Sequence, residues 1–379
     1  MQGKEPGAKV TEGWKAIAGG VTAPAGFVAA GVHAGIKAQR PDLALLVSER
    51  PAAAAGVFTT NRVQAAPVQV CRRRLAGSAA RAVVINSGSA NACTGPQGLA
   101  DAERMCELAA QALGVDAAAV FPCSTGTIGK PLPMDKIAAG IREAAAALSP
   151  AGGAAAARAI MTTDTVDKQY ALELTVGGRR VRLGGMAKGS GMIAPNLATM
   201  LAFLTTDAAV ERGALQAALG AASRESFNRI TVDGDCSTND TVLLLANGAA
   251  GNDPLHERHP DWPRFEAALR EMTRQLAWKI VQDGEGATKF VTVTVEGAAS
   301  EADARRAARA IANSLLVKTS WYGGDPNWGR IIAAVGYSGA EVDPDRIDIR
   351  FDGALAVQGG RKAPDFALPE LERILRQKT

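Results

Sequence analysis

The chain has 379 residues, 47% hydrophobic and 21% charged, and its net charge of +4 is too small to indicate a nucleic-acid partner. Its five cysteines are scattered and never spaced as Cys-x-x-Cys, which argues for a reducing compartment and against a structural zinc site. The N-terminal stretch has no apolar core and no segment has membrane-spanning length without charge, so we expect a cytoplasmic protein without a membrane partner.

The apolar pattern predicts strands that alternate with helices, as in α/β proteins. Short β-rich runs, typical of strands, cover residues 82–86, 171–176, 181–185, 200–204, 241–246 and 289–295. Helical patterns cover residues 101–114, 134–148, 211–226, 262–282 and 302–314, and an amphipathic pattern closes the chain. The Gly177-Gly178 pair between two of the runs predicts a β-hairpin, so the sheet contains antiparallel strands.

A glycine-punctuated loop, KGSGMIAPNLA, leads from Lys188 into Thr199 and the apolar run that begins at Met200. This arrangement suits a protein that cuts itself at the Ala198–Thr199 bond and uses the new N-terminal threonine as a nucleophile. The alternative is a loop that merely feeds a core strand. On pattern alone, that structural interpretation has the greater weight.

A threonine nucleophile needs a base beside it, and its own terminal amine can serve. An α-amino group titrates near ~7.7–8.0, whereas lysine titrates near ~10.4, so Lys188 is the poorer base unless burial lowers its pKa. The histidines, His33, His256 and His259, lie in no motif with a nucleophile. The last two belong to a proline-rich polar segment, and we expect no metal site there.

The segment CSTGTIGKP, from Cys123, predicts a loop that approaches a ligand. Gly126 frees the backbone, and Thr125 brings both a hydroxyl and an N–H; an ordinary glycine turn is the alternative. The spacing of a phosphate-binding loop is absent. A cluster of acidic residues in VDGDCSTND lacks the pattern of a calcium loop and is typical of Asx-turns; it contains Asp233, Asp235 and Asp240.

Blocks spanning most of the chain resemble the ornithine acetyltransferase (glutamate N-acetyltransferase) family of arginine biosynthesis. In chain order they include GGVTAPAGFVAAGVHAGIKAQRPDLALLVSE, AGVFTTNRVQAAPV, INSGSANACTG, CSTGTIGKPLP, IMTTDT, KGSGMIAPNLATMLAFLTTD, SFNRITVDGDCSTNDT, DGEGATKFVTV and VKTSWYGGDPNWGRI. Each block alone is weak evidence. Their common order makes the resemblance strong.

The resemblance implies a layered mixed-sheet α/β fold of the ornithine acetyltransferase or DmpA-like type, cut into segments 1–198 and 199–379 that associate as an α2β2 or larger assembly. It implies Thr199 as the nucleophile, with Thr125 and Gly126 as the oxyanion hole. Amino-acid substrates need partners for a carboxylate and an amine. The family's binding residues correspond to Thr162, Lys188, Thr199 and Glu285, with Thr163 the close alternative to Thr162.

The implied reaction moves an acetyl group from N2-acetyl-L-ornithine to L-glutamate by a ping-pong route, without a cofactor; use of acetyl-CoA as a donor stays open. Two rival functions remain at this point. One is an N-terminal-nucleophile aminopeptidase or amidase of the same fold group, and the other is an amino-acid-binding relative without catalysis. The second gains weight because family members continue past ALPELERILRQKT and supply an asparagine and a threonine that have no match here.

Overall fold

The computed structural model describes residues 13–77, 79–194 and 200–377. The predicted cleavage bond, Ala198–Thr199, lies outside the described residues. The strands are β1 (Trp14–Ile17), β2 (Phe27–Val32), β3 (Leu43–Phe58), β4 (Ala80–Ser89), β5 (Val120–Thr127), β6 (Lys168–Val176), β7 (Arg179–Lys188), β8 (Leu201–Thr206), β9 (Thr241–Ala246), β10 (Ile349–Phe351), β11 (Ala354–Gln358) and β12 (Arg361–Lys362).

The helices are α1 (Ala66–Leu75), α2 (Gly95–Leu113), α3 (Met134–Ala146), α4 (Gly153–Ala159), α5 (Arg212–Glu225), α6 (Trp262–Gln282), α7 (Glu301–Asn313), α8 (Leu315–Gly323), α9 (Trp328–Gly336) and α10 (Leu368–Leu375). The chain divides into two compact units. Unit 1 holds the described residues up to Ile230 together with Asp235–Glu285, and unit 2 holds Thr231–Gly234 and the residues from Gly286 onward. No helix within the described ranges is long and apolar enough to cross a membrane.

Unit 1 is built on one mixed sheet with the strand order β1-β6-β7-β8-β9-β3-β4-β5, and β2 pairs with β3 beside that path. The β4–β5 and β8–β9 pairs are parallel, and the other pairs are antiparallel. The long strand β3 pairs with β2 and β4 through its first half and with β9 through its second half. A register shift near Pro51 separates the halves, as expected because proline removes a ladder hydrogen bond.

Alternation along the strands places apolar side chains on both faces of this sheet. Leu43 and Leu45 belong to a buried cluster with residues of α2 and α3, whereas Leu46 belongs to a second cluster with residues of α1 and α4. Strands β8 and β9 are buried along their whole length. Helices on both faces therefore make unit 1 a layered α/β structure, which confirms the predicted fold class.

Several strand ends that bear polar residues are linked at one edge of the sheet in unit 1. The cross-strand pairs Lys188↔Leu201 and Leu201↔Thr241 align the C-terminal end of β7 with the beginnings of β8 and β9. The side chain of Asn239, just before β9, donates to the carbonyl of Ser124 in β5. The edge therefore gathers residues that are far apart in the sequence.

Unit 2 contains α7 to α10 and a separate antiparallel sheet of the order β10-β11-β12. Its own core includes Ile311, Val317, Phe351, Val357 and Leu371. The GGDPNWGR motif joins α8 to α9, where Gly324 adopts φ +70° and the side chain of Asn327 caps α9. We assign it no catalytic part.

Two predictions about secondary structure are wrong. Residues 289–295 form no strand, and no described strand pairs with them; a β-rich composition makes a strand only where a neighbour accepts its backbone hydrogen bonds. Thr125 and Gly126 lie in the last part of strand β5, not in a loop, because residues 120–127 pair with β4. The other predicted strands and all five internal helices are present, and α2 begins early, at Gly95-Pro96, because proline suits a first helical turn.

The interior of β7 predicts a packing test. A Cβ atom at Gly184 would lie 2.1 Å from the carbonyl oxygen of Gly20. We expect Gly184→Ala to lower the free energy of unfolding by about 1–3 kcal/mol, measured by urea denaturation. Gly213→Ala, at an exposed position of α5, is the control, because nothing lies within 4 Å of its added Cβ. Equal stability of the two variants would contradict the packing described.

Candidate active site

The end of β5 presents a buried hydroxyl beside a glycine. Thr125 is 1% exposed, and its Oγ1 has no hydrogen-bond partner within the described part of the chain. Gly126 has φ +130°, and a Cβ atom there would lie 2.5 Å from the carbonyl carbon of Gly88. Because a buried hydroxyl without a partner costs free energy, this group is suited to donate to a ligand.

Two consecutive residues connect this strand end to the beginning of β8. Asn239 Nδ2 donates to the carbonyl of Ser124 at 2.8 Å and to that of Ala90 at 2.5 Å. Asp240 Oδ1 accepts the N–H of Met200 at 3.1 Å. The pair thereby ties the residue before Thr125 to the residue that follows Thr199.

Asp240 is not the local turn former that the sequence predicted. It is completely buried, and its bonded N–H comes from Met200, far away in the sequence. Its Oδ2 has no hydrogen-bond partner among the described residues. Burial raises the pKa of Asp240 well above its usual range, and the hydrogen bond from the Met200 N–H, followed by weaker effects that include the charge of Lys188, only partly opposes this.

Lys188, the last residue of β7, is 1% exposed and faces a buried carboxylate. Asp164 accepts from Lys168 Nζ at 2.7 Å and lies 3.9 Å from Lys188 Nζ. It also accepts the N–H groups of Gly189 at 2.7 Å and Thr162 at 3.0 Å. Asp164 therefore connects the segment containing Thr162 with the loop that follows β7.

Opposed effects set the protonation of this cluster. Burial alone would raise the pKa of Asp164, but Lys188, Lys168 and the hydrogen bonds it accepts hold that pKa below its ordinary value. Burial lowers the pKa of Lys188, and the charge of Asp164 opposes the shift. Asp164 is consequently an anion that keeps two buried cations in place.

The remaining wall comes from the residues after α6. Asp283 Oδ2 accepts from Lys168 Nζ at 2.5 Å, and its main-chain carbonyl accepts from Ser190 Oγ at 2.7 Å. The Glu285 N–H donates to the carbonyl of Ser190 at 3.0 Å. A Cβ atom on Gly191 would lie 2.5 Å from Glu285 Oε1, so the carboxylate of Glu285 lies directly against this glycine loop.

The structure thus links several of the predicted site residues. Thr162 and Lys188 share Asp164, while the exposed Glu285 lies against the loop after Lys188. Thr163 is exposed and Thr162 half-buried, and the choice between them stays a prediction. Ala198 and Thr199 lie outside the described residues. The roles of all these residues stay predictions.

Sequence reasoning assigned no part in the site to Asp164, Asn239 or Asp240. Asp164 follows the Thr162-Thr163 pair, and Asn239-Asp240 directly precede a buried strand. Polar residues at strand ends are a usable signal, because strand ends often carry binding sites. The charge partners of these residues are not visible in the linear sequence.

Unit 1 therefore belongs to the class of α/β proteins with a polar site at one edge of a mixed sheet. This site combines the Thr125 hydroxyl, which has no partner among the described residues, with Lys188, whose charge Asp164 compensates. A family model described as the ArgJ family matches residues 28–379. The arginine biosynthesis bifunctional protein ArgJ of Symbiobacterium thermophilum is 56% identical over 365 residues, which are 96% of this chain and 90% of that protein. Its namesake in Geobacter sulfurreducens is 52% identical over 93% of this chain and 90% of that protein.

A solved structure described as ornithine acetyltransferase complexed with ornithine, from Mycobacterium tuberculosis, has 50% sequence identity. It covers 49% of this chain and 100% of that chain, with a TM-score of 0.46. The family model and these two relatives show the family. This chain belongs to the ArgJ family.

The two buried aspartates predict opposite responses to an isosteric change. Asp164→Asn should lower the free energy of unfolding at pH 7 by about 3 kcal/mol, because it removes the anion between buried lysines. Asp240→Asn should leave it equal or higher, because burial disfavours the charged carboxylate while an asparagine oxygen still accepts the Met200 N–H. Urea denaturation measures both.

The sign of the pH dependence follows from the pKa shifts. Asp164 has a lowered folded-state pKa, so its contribution is present above the unfolded value of about 3.9 and is lost as the pH falls further. The difference between wild type and Asp164→Asn should therefore shrink in acid. Equal destabilisation by both substitutions at pH 7 would refute this assignment of charges.

Proposed function

We propose that this chain is the acetyltransferase of arginine biosynthesis that transfers the acetyl group of N2-acetyl-L-ornithine to L-glutamate, a glutamate N-acetyltransferase. Membership of the ArgJ family supports this function over a peptidase or a non-catalytic binder. The observation on which the site's role depends is the buried Thr125 hydroxyl, which has no hydrogen-bond partner among the described residues. The residue before it, Ser124, is linked through Asn239 and Asp240 to the start of β8.

The first proposed step is self-cleavage. Thr199 Oγ attacks the carbonyl carbon of Ala198, the amide bond between that carbon and the Thr199 nitrogen breaks, and the hydroxyl proton passes to the nitrogen, so that an ester replaces the amide. Water then hydrolyses the ester, which restores the hydroxyl and leaves Thr199 with a free α-amine. This amine is partly neutral near pH 7–8 and accepts the hydroxyl proton during later attacks.

The proposed transfer has two halves. Thr199 Oγ attacks the acetyl carbonyl of N2-acetyl-L-ornithine, and the collapsing intermediate expels ornithine, whose amine takes the proton. The amine of glutamate then attacks the acetyl-Thr199 ester and releases N-acetylglutamate. Thr125 and Gly126 are proposed to donate to the oxyanion of both tetrahedral intermediates, a contribution worth about 2.7–4 kcal/mol per donor in measured cases.

Charge matching supports the substrate class. Lys188, held by Asp164, is the proposed partner of the substrate α-carboxylate, and Thr162 lies beside the same anion. Glu285, exposed against the Gly191 loop, is the proposed partner of the ornithine ammonium group. Opposite charges in a partly dehydrated site give specificity as well as affinity.

The proposed cleavage predicts two polypeptides that meet at Ala198 and Thr199. Intact-mass measurement of the purified wild type should show both, whereas Thr199→Ala should remain one chain without acetyl transfer, because its side chain lacks the nucleophile. An uncut wild type with full activity would refute self-processing. Size-exclusion chromatography with light scattering tests the α2β2 assembly that the family resemblance implies.

The decisive assay of function supplies N2-acetyl-L-ornithine with and without labelled glutamate. Labelled N-acetylglutamate supports the transferase, while release of acetate at the same rate without glutamate would identify a hydrolase. Absence of both products would leave only the binding function. An arm with acetyl-CoA measures whether a thioester also loads the enzyme.

Thr125 predicts a catalytic loss without a stability loss. Thr125→Ala should lower kcat by about 100- to 1000-fold, because it removes the proposed hydroxyl donor to the oxyanion. The free energy of unfolding should change little, because that hydroxyl has no partner in the described structure. Thr125→Ser should retain most activity, and Thr127→Ala, at an exposed position of the same strand, is the matched control. Wild-type kcat in Thr125→Ala would overturn the assignment.

A further inference from the structure

Lys37 lies in the connection between β2 and β3, whose backbone is held by one carboxylate. Asp42 accepts the N–H of Lys37 at 2.8 Å and that of Ala34 at 2.6 Å. The carbonyl of Lys37 also contacts His33 Nε2 at 2.9 Å. The Cα of Lys37 therefore has a defined position before any substrate binds.

The side chain of Lys37 runs between two parts of the candidate site. Its Cγ would lie 3.1 Å from a Cβ atom built on Gly88, the residue that lies against Gly126. Its Nζ donates to the carbonyl of Met161 at 2.9 Å, beside Thr162. The side chain thus runs from the end of β4, which lies against the proposed oxyanion strand, to the proposed substrate-binding segment, where its ammonium group lies.

The charge of Lys37 is incompletely compensated. No carboxylate lies within 4.0 Å of its Nζ in the described ranges, and Met161 uses only one of its three N–H donors. Asp42 is engaged by backbone N–H groups, and Asp164 is engaged by Lys168 and two further N–H groups. The half-buried ammonium group retains donors for an anion.

Burial lowers the pKa of Lys37 to about 8. Asp42 and Asp164 oppose the shift, whereas Arg40 and Lys188 add to it. The group therefore changes charge near neutral pH. Such a group suits a site that binds substrates with cationic and anionic side chains in turn. When the Lys37 ammonium loses its proton, it no longer repels a cationic substrate side chain.

The two proposed substrates differ mainly in side-chain charge: ornithine carries an ammonium group and glutamate a carboxylate. Glu285 suits the first but repels the second. We propose that Lys37 binds the side-chain carboxylate of glutamate and so determines specificity in the second half of the reaction. This inference rests on the proposed function.

The test separates the half-reactions in the full-length, processed protein. Exchange of labelled ornithine into N2-acetyl-L-ornithine follows the first half, and exchange of labelled glutamate into N-acetylglutamate follows the second. Lys37→Met should raise the KM for glutamate by about ten- to a hundredfold, as expected for one lost charge-assisted hydrogen bond, with ornithine exchange changed less than about threefold. Lys37→Arg should restore most of the glutamate affinity.

Two readouts exclude a merely structural role. The preference for glutamate over glutamine, its uncharged isostere, should fall in Lys37→Met by about the same factor as the affinity. In the wild type, kcat/KM for glutamate should decline as the pH rises through about 8, because the protonated lysine binds the carboxylate. This decline should be absent in Lys37→Met; loss of a proton from the Thr199 amine would act in the opposite direction.

Lys136→Met is the matched control, because Lys136 Nζ also donates to a carbonyl of the same connection, that of Gly35, at 2.7 Å, from an exposed position. It should behave as wild type. Equal loss in both half-reactions of Lys37→Met, or unchanged discrimination between glutamate and glutamine, would overturn the role of Lys37. Failure of both exchanges in the wild type would instead overturn the proposed function.

Discussion

The buried carboxylate of Asp164 is the interaction on which the rest of the site depends. It compensates Lys168 and Lys188 and accepts N–H groups from two separate segments. Without that anion, the buried Lys188 ammonium would lose a carboxylate at 3.9 Å and Lys168 would keep only Asp283 as a carboxylate partner among the described residues, which is strongly unfavourable. One side chain therefore determines the charge of the pocket and the positions of Thr162 and of the loop after β7.

Unlike the Asp164 carboxylate, two other buried polar groups of the site leave hydrogen-bonding capacity unused among the described residues. Thr125 Oγ1 and Asp240 Oδ2 have no partners among the described residues, although both atoms are buried. Native proteins usually satisfy such atoms, so each represents a free-energy cost that the surrounding strands must offset. Stabilisation of an oxyanion requires a donor that is already positioned before the reaction, and the buried Thr125 hydroxyl meets this requirement.

The charges around the pocket suit a protein that binds two different amino acids in turn. Lys188 is compensated within the protein, Glu285 is exposed, and Lys37 uses one of its three Nζ–H donors in the part of the chain that the structure describes. A fixed cation fits the α-carboxylate that both proposed substrates share, while the remaining two groups fit the side chains that distinguish them. Specificity of this kind depends on repulsion as much as on attraction.

The sequence alone determined the fold class and most of the helices and strands of unit 1, because hydrophobic periodicity is a local property. Its motifs, which are local too, suggested the family and the hypothesis that Thr199 is the nucleophile. It failed for residues 289–295 and for the strand that carries Thr125, because pairing with a neighbour decides whether a strand forms. Only the tertiary structure placed Asp164 against Lys188, Asp240 against Met200 and Lys37 between two segments of the site. Burial and the distances between charges arise only when remote segments meet, and these quantities set the electrostatics of the site.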